Sequence, residues 1–78
     1  MDLKIISAEA ELYNAEVQAV FFPGKLGEFE VLPHHGDMIA ALEEGPVRIR
    51  TDKGESRLGI KSGFVKIVKD KITACVEI

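Results

Sequence analysis

Apolar and polar residues alternate with a period of two through much of the second half of this chain. In Val47-Arg48-Ile49-Arg50 every second residue is apolar, the pattern of a strand with one buried face. A second run, residues 56–60, follows after Asp52-Lys53-Gly54-Glu55 and predicts a hairpin. Setting Thr51 against Ser56 places Ile49 opposite Leu58 and Val47 opposite Ile60. A slip of one residue would set those apolar side chains against polar ones, so this register is favoured. The same reasoning pairs residues 65–68 with residues 71–76 around a Lys69-Asp70 turn. Ile67 then faces Ile72 and Val65 faces Ala74, and Ile72, Ala74, Val76 and Ile78 share one face.

The first half is less regular. Residues 4–8, 17–22 and 29–32 each read as a strand. Pro23 and Pro33 are expected to end the second and third of these, because proline cannot donate to a ladder. Residues 38–42 are apolar and short, and fit either a strand or a single helical turn. About eight short runs with no amphipathic helix of ten residues or more predict an all-β fold. The expected form is a small flattened antiparallel β-sandwich or barrel of about eight to ten short strands, one domain over residues 1–78.

Composition narrows the function. At 78 residues, 46% hydrophobic, the chain can form a core but has little room for a deep active site. Its net charge of −3 argues against general nucleic-acid binding, which calls for a basic footprint. No apolar run approaches the ~20 residues of a membrane-spanning helix. Met1-Asp2-Leu3-Lys4 does not open a signal peptide. The single cysteine, Cys75, excludes an internal disulfide and points to a reducing compartment.

Few residues offer chemistry. His34, His35 and Asp37 could bind zinc with Glu28 or Glu30 as a further ligand, which would make the chain a small metal-binding or hydrolytic barrel. Against this, adjacent residues of an extended chain point to opposite faces. The plainer reading is a polar loop after Pro33, with Gly36 supplying an unusual backbone angle. Cys75 lies in a strand and reads as a small hydrophobe. Ser7, Ser56 and Ser62 lack a nucleophile elbow. Gly24-Lys25-Leu26-Gly27 lacks the spacing and the following helix of a phosphate loop.

Arg48, Arg50 and Arg57 fall on one face in the hairpin register above, with Arg50 directly across from Arg57. Like charges in that position destabilise a ladder. Local carboxylates (Asp52, Glu55), solvation, or an acidic patch on a partner would compensate. Single-stranded nucleic acid is disfavoured because no aromatic residue interleaves with the arginines in the sequence. Phe21 and Phe22 point to opposite faces if their segment is a strand. One of them is then either exposed or set against another chain, unless both faces are buried.

The segment from Phe22 to Ile49 carries a resemblance. Phe22-Pro23-Gly24, Gly27-Glu28-Phe29, Leu32-Pro33, His35, Met38-Ile39, Leu42, Gly45 and Val47-Arg48-Ile49 follow in the order typical of the epsilon chain of F-type ATP synthases. Leu3-Lys4-Ile5-Ile6-Ser7-Ala8-Glu9 resembles that family's opening. Ser62-Gly63-Phe64-Val65 and Ile72-Thr73-Ala74 resemble two of its later strands. The set covers essentially the whole chain. Glu30 and His34 stand where the family usually has glycine, Asp37 where it has proline, and one glycine rather than two follows Ser62.

What the resemblance implies is a β-sandwich at the foot of the central rotor stalk, between the gamma subunit and the polar loops of the membrane c-ring. Such a subunit has no catalytic site, cofactor or metal of its own and helps couple proton transport to ATP synthesis. Glu28 matches the family's c-ring-facing acidic residue, and Ser7 and His35 match positions near gamma. The expected location is peripheral, on the cytoplasmic face of the bacterial inner membrane, without insertion and without nucleic acid. Epsilon chains usually continue into two C-terminal helices with inhibitory and, in some members, ATP-binding roles. This sequence ends at Ile78, after the last strand. The expectation is therefore no nucleotide binding and no helical inhibition, and saturable binding in an ATP titration would contradict it.

Overall fold

The computed structural model describes all 78 residues, as nine strands and no helix. They are β1 (Asp2–Ile6), β2 (Glu11–Glu16), β3 (Ala19–Gly24), β4 (Gly27–Val31), β5 (Met38–Leu42), β6 (Gly45–Thr51), β7 (Gly54–Ile60), β8 (Ser62–Val68) and β9 (Lys71–Glu77). No helix is long and apolar enough to cross a membrane. The strands form one curled sheet in the order β2-β1-β9-β8-β5-β3-β6-β7, with β4 on the other edge of β3. β3 and β5 share the single register pair Gly24–Leu42. The sheet folds there into a five-stranded half (β2-β1-β9-β8-β5) and a four-stranded half (β4-β3-β6-β7).

The inward residues of both halves form one cluster. Leu3, Ile5, Leu42, Val65, Ile67, Ile72 and Ala74 come from the first half, and Val20, Phe22, Val31, Val47, Ile49 and Ile60 from the second. Phe22 is fully buried and its ring lies 5.8 Å from that of Phe29. Burial of a side chain of this size contributes roughly 1.5–3 kcal/mol.

The β8–β9 hairpin has the register expected from its alternation, with Ile67 opposite Ile72 and Val65 opposite Ala74. Lys69 and Asp70 both have left-handed backbone (φ 49° and 62°), as a two-residue turn of primed type requires. The β6–β7 hairpin differs from expectation by two residues. Thr51 pairs with Gly54, Ile49 with Ser56 and Val47 with Leu58, so the loop is Asp52-Lys53 alone. A shift of two preserves which side chains point inward. Alternation therefore excludes a slip of one but not a slip of two, and the turn decides. Gly54 (φ 122°) follows the two-residue loop, and the Lys53 N–H donates to Thr51 Oγ1 (3.1 Å).

Three further differences have physical causes. β2 was not foreseen, because Glu11-Leu12-Tyr13-Asn14-Ala15-Glu16 is an edge strand with no fully buried residue and so carries no alternation. β3 runs through Pro23 rather than ending before it. No N–H is needed there, and the Pro23 carbonyl accepts the Glu43 N–H (2.9 Å). The sheet is not wholly antiparallel: β1 lies parallel to β9, Leu3 beside Ile72 and Ile5 beside Ala74. The first and last strands share no hairpin, so nothing forces them to run in opposite directions. Residues 38–42, open between strand and helical turn, form β5, paired along its length with β8.

Candidate functional site

The three arginines lie on the outward face of the four-stranded half. Arg48 sits opposite Arg57, and Arg50 opposite Glu55. The expected Arg50–Arg57 pairing is thus replaced, following the two-residue shift of the hairpin. Carboxylates from β4, across β3, and from the adjacent β7 offset the like charges. Arg48 Nη2 donates to Glu28 Oε1 at 3.1 Å, and Arg48 Nη1 lies 3.7 Å from Glu55 Oε1. Arg50 Nη2 lies 3.4 Å from Glu30 Oε2. Asp52 takes no part, and Arg57 is the one of the three without an ion pair.

An aromatic ring does lie among the arginines. Phe21 of β3 pairs with Arg48 of β6, and the Arg48 guanidinium stacks 4.1 Å from its ring centroid, with that of Arg50 at 6.0 Å. Ring and Arg48 are both half-buried, where a cation over a ring face contributes about 1–2 kcal/mol. The sequence hides the arrangement because Phe21 lies 27 residues before Arg48 and reaches it only across strands. The second face of β3 is thus covered by the chain's own arginine, while Phe22 faces the core.

Glu28, the residue matched to the c-ring contact, is half-exposed at the start of β4 opposite Pro23. It is tethered to Arg48, so it meets solvent as one end of an ion pair. The adjoining β3–β4 turn projects Leu26 fully into solvent.

Ser7 and His35 lie at opposite ends of the five-stranded half. Ser7 follows Ile6, which pairs with Cys75, itself opposite Phe64. Its N–H donates to the Ala10 carbonyl (2.8 Å), and its Oγ accepts from the Glu9 and Ala10 N–H groups (3.3 and 3.2 Å). This closes the turn into β2, the local bonding in which serine competes with the ladder, and β1 accordingly ends at Ile6 rather than at Ala8. His35 lies in the 32–37 loop, whose neighbour is the Lys69-Asp70 turn at the start of β9. The seven residues of β9 separate the two sites by roughly 20 Å.

Between them runs the outward face of β1, β9, β8 and β5. Phe64 stands opposite Ala41 on one side and Cys75 on the other, and Lys66 stands between Ile39 and Thr73. Phe64 and Ile39 are 51% and 71% exposed, and their strand positions set them diagonally across β5 and β8 on this face.

The candidate metal residues do not converge. No three His, Cys, Asp or Glu side chains come within reach of one ion. Glu28 and Glu30 are engaged by Arg48 and Arg50. His34 turns towards Asp70, and His35 Nδ1 lies 2.7 Å from the Gly36 carbonyl oxygen. The unusual backbone angle of this loop belongs to His34 (φ 67°) and not to Gly36. Of the serines, Ser62 Oγ donates to Glu77 Oε1 (3.3 Å), and none has a histidine partner.

The family model described as ATP synthase, Delta/Epsilon chain, beta-sandwich domain matches residues 1–78. The ATP synthase epsilon chain of Ruthia magnifica is 36% identical over 88% of this chain and 50% of its own length. That of Sulfurovum is 35% identical over 99% of this chain and 61% of its own. The chain thus spans about half to three-fifths of the length of these relatives. Among solved structures, a chain of the Euglena gracilis mitochondrial ATP synthase superimposes with a TM-score of 0.87 at 19% identity, covering 95% of this chain and 48% of that one. A chain in the central stalk/c-ring structure of the Tetrahymena thermophila enzyme gives 0.84 at 12%, covering 99% and 63%. The two structural matches establish the fold, and the full-length family match establishes that this chain belongs to the ATP synthase delta/epsilon-chain β-sandwich domain family.

Proposed function

We propose that this chain is the β-sandwich of an ATP synthase epsilon subunit and serves in the central-stalk rotor, bridging the gamma subunit and the polar loops of the c-ring. It has an accessory and not a catalytic role, supporting the coupling of proton transport to ATP synthesis. It associates with the membrane peripherally, through the ring, on the cytoplasmic face of a bacterial inner membrane. The observation that carries this reading is the family match over residues 1–78. The geometry supports it: a core closed between two sheet halves makes a stiff spacer with distinct surfaces for two partners.

Gamma packs, on this reading, along the outward face of β5, β8, β9 and β1, with Ser7 at one end and His35 at the other. Phe64 lies within that span. Co-purification with a gamma-type subunit is the primary test, and failure to form that complex overturns the proposal. Phe64→Glu is expected to weaken the gamma complex at least tenfold by isothermal titration, about 1.4 kcal/mol. Its melting temperature should hardly change, because the ring is half in solvent already.

Glu28 gives a second test. Glu28→Lys is expected to weaken attachment to isolated c-ring about fivefold, or about 1 kcal/mol, with gamma affinity unchanged. The charge swap Glu28→Lys with Arg48→Glu re-forms an ion pair between positions 28 and 48, at the expense of the Arg48 contacts to Glu55 and Phe21, but does not restore the sign presented to the ring. Ring attachment should therefore stay weak. Recovery in the swapped protein would assign the effect to the Arg48 pair and remove Glu28 from the ring contact.

A further inference from the structure

The 32–37 loop has little to hold it by packing. Leu32, Pro33, His34, Gly36 and Asp37 are exposed, and within the loop the His35 N–H donates to the Leu32 carbonyl (3.2 Å). Two carboxylates tie it across to the β8–β9 turn. Asp70 Oδ1 accepts the His34 N–H at 2.7 Å, and Asp37 Oδ1 accepts the Lys69 N–H at 3.1 Å. Each loop therefore gives one backbone donor and one carboxylate to the other.

The hairpin turn itself requires the left-handed backbone of Lys69 and Asp70, but His34 (φ 67°) lies outside that turn, and a non-glycine residue holds that conformation only where its surroundings over-determine it. A carboxylate accepting a backbone N–H makes a short charge-assisted bond, as the 2.7 Å distance shows. The turn is itself fixed to β1, because the Asp70 carbonyl accepts the Asp2 N–H (3.0 Å).

We infer that Asp37 and Asp70 form a reciprocal latch that fixes the 32–37 loop against the β8–β9 turn and so sets the position of His35 before any partner arrives. Both are positioning residues. The latch is a property of this chain alone; its use in presenting His35 rests on the reading that His35 faces gamma. A loop ordered in advance loses less freedom on binding, so the latch raises affinity without touching the partner.

Amide hydrogen exchange by NMR on the 78-residue chain tests it. Asp70→Gly is the informative variant, since glycine accepts the left-handed φ of 62° and only the carboxylate is lost. The His34 amide is expected to exchange at least tenfold faster, while Val65 and Ile72 amides hold. Asp70→Asn keeps an acceptor oxygen and tolerates the same backbone, and should retain most of the protection. Asp37→Ala should release the Lys69 amide and accelerate His34 as well. Unchanged His34 exchange in Asp70→Gly overturns the latch. Faster exchange with unaltered gamma affinity overturns its role in presenting His35. A wild-type chain that protects His34 but binds no gamma overturns the proposed function and leaves the latch standing.

Discussion

Phe22→Ala is expected to cost about 3–5 kcal/mol of folding stability, the range for removing a buried aromatic side chain. The whole domain has of order 4–12 kcal/mol at 0.05–0.15 kcal/mol per residue, so the variant should lose a large share of its stability. The reason lies in position as much as size. Phe22 is fully buried on β3, the strand that pairs with β4, β5 and β6. It packs with Phe29 from the adjacent strand, so its removal leaves a cavity at the fold between the sheet halves. Urea titration followed by circular dichroism measures the effect. A loss under ~1 kcal/mol would show that the site collapses freely and that the core is not close-packed there. Phe21→Ala, one residue away, should cost less, about 1–2 kcal/mol, since it removes a half-buried cation–π contact.

Gly63→Ala is the second large effect. A Cβ at Gly63 would run into the Cys75 carbonyl oxygen and approach the Val76 Cα to 3.0 Å. Both obstacles include backbone atoms of β9, which cannot retreat because β9 is paired with β1 on its other side. Overpacking of this kind typically costs about 1–3 kcal/mol, and the upper end applies where backbone must move. A fall of about 8 °C or more in melting temperature is expected, given ~4–8 °C per kcal/mol in a domain of this size. Gly36→Ala is the control: a Cβ there meets nothing within 4 Å, and stability should stay within about 0.5 kcal/mol. Equal melting temperatures for the two variants would remove close approach as the reason for glycine at position 63.

What the sequence disclosed follows from how each strand is buried. β6, β8 and β9 each have one face in the core, and their alternation places the inward residues correctly. β2 lies at an edge, and its half-buried residues are the adjacent Leu12 and Tyr13 and not alternate ones, so no period of two marks it. The β8–β9 register was legible because pattern and turn agree. The β6–β7 register was not, because two residues of slip leave the pattern unchanged. Site residues divide in the same way. Glu28, Ser7 and His35 could be proposed from their places in an ordered motif. The bonds that hold Glu28 to Arg48, and the 32–37 loop to Asp70, join residues 20 and 36 positions apart. No local spacing encodes such contacts. The Phe21 ring beneath Arg48 was missed for the same reason, and it corrects the view that the arginines have no aromatic neighbour.

The parallel pairing of β1 with β9 also governs how this chain can fold. Its two clearest hairpins, β6–β7 and β8–β9, close short loops and can form early. β1 can pair locally with β2, but to join the rest of the sheet that hairpin must wait for β9, a strand almost the full chain length away. Pairings of such high sequence separation slow folding towards the millisecond-to-second range. During synthesis the β1–β2 hairpin therefore emerges without the strand it joins, and the five-stranded half is completed only after β9 has left the ribosome.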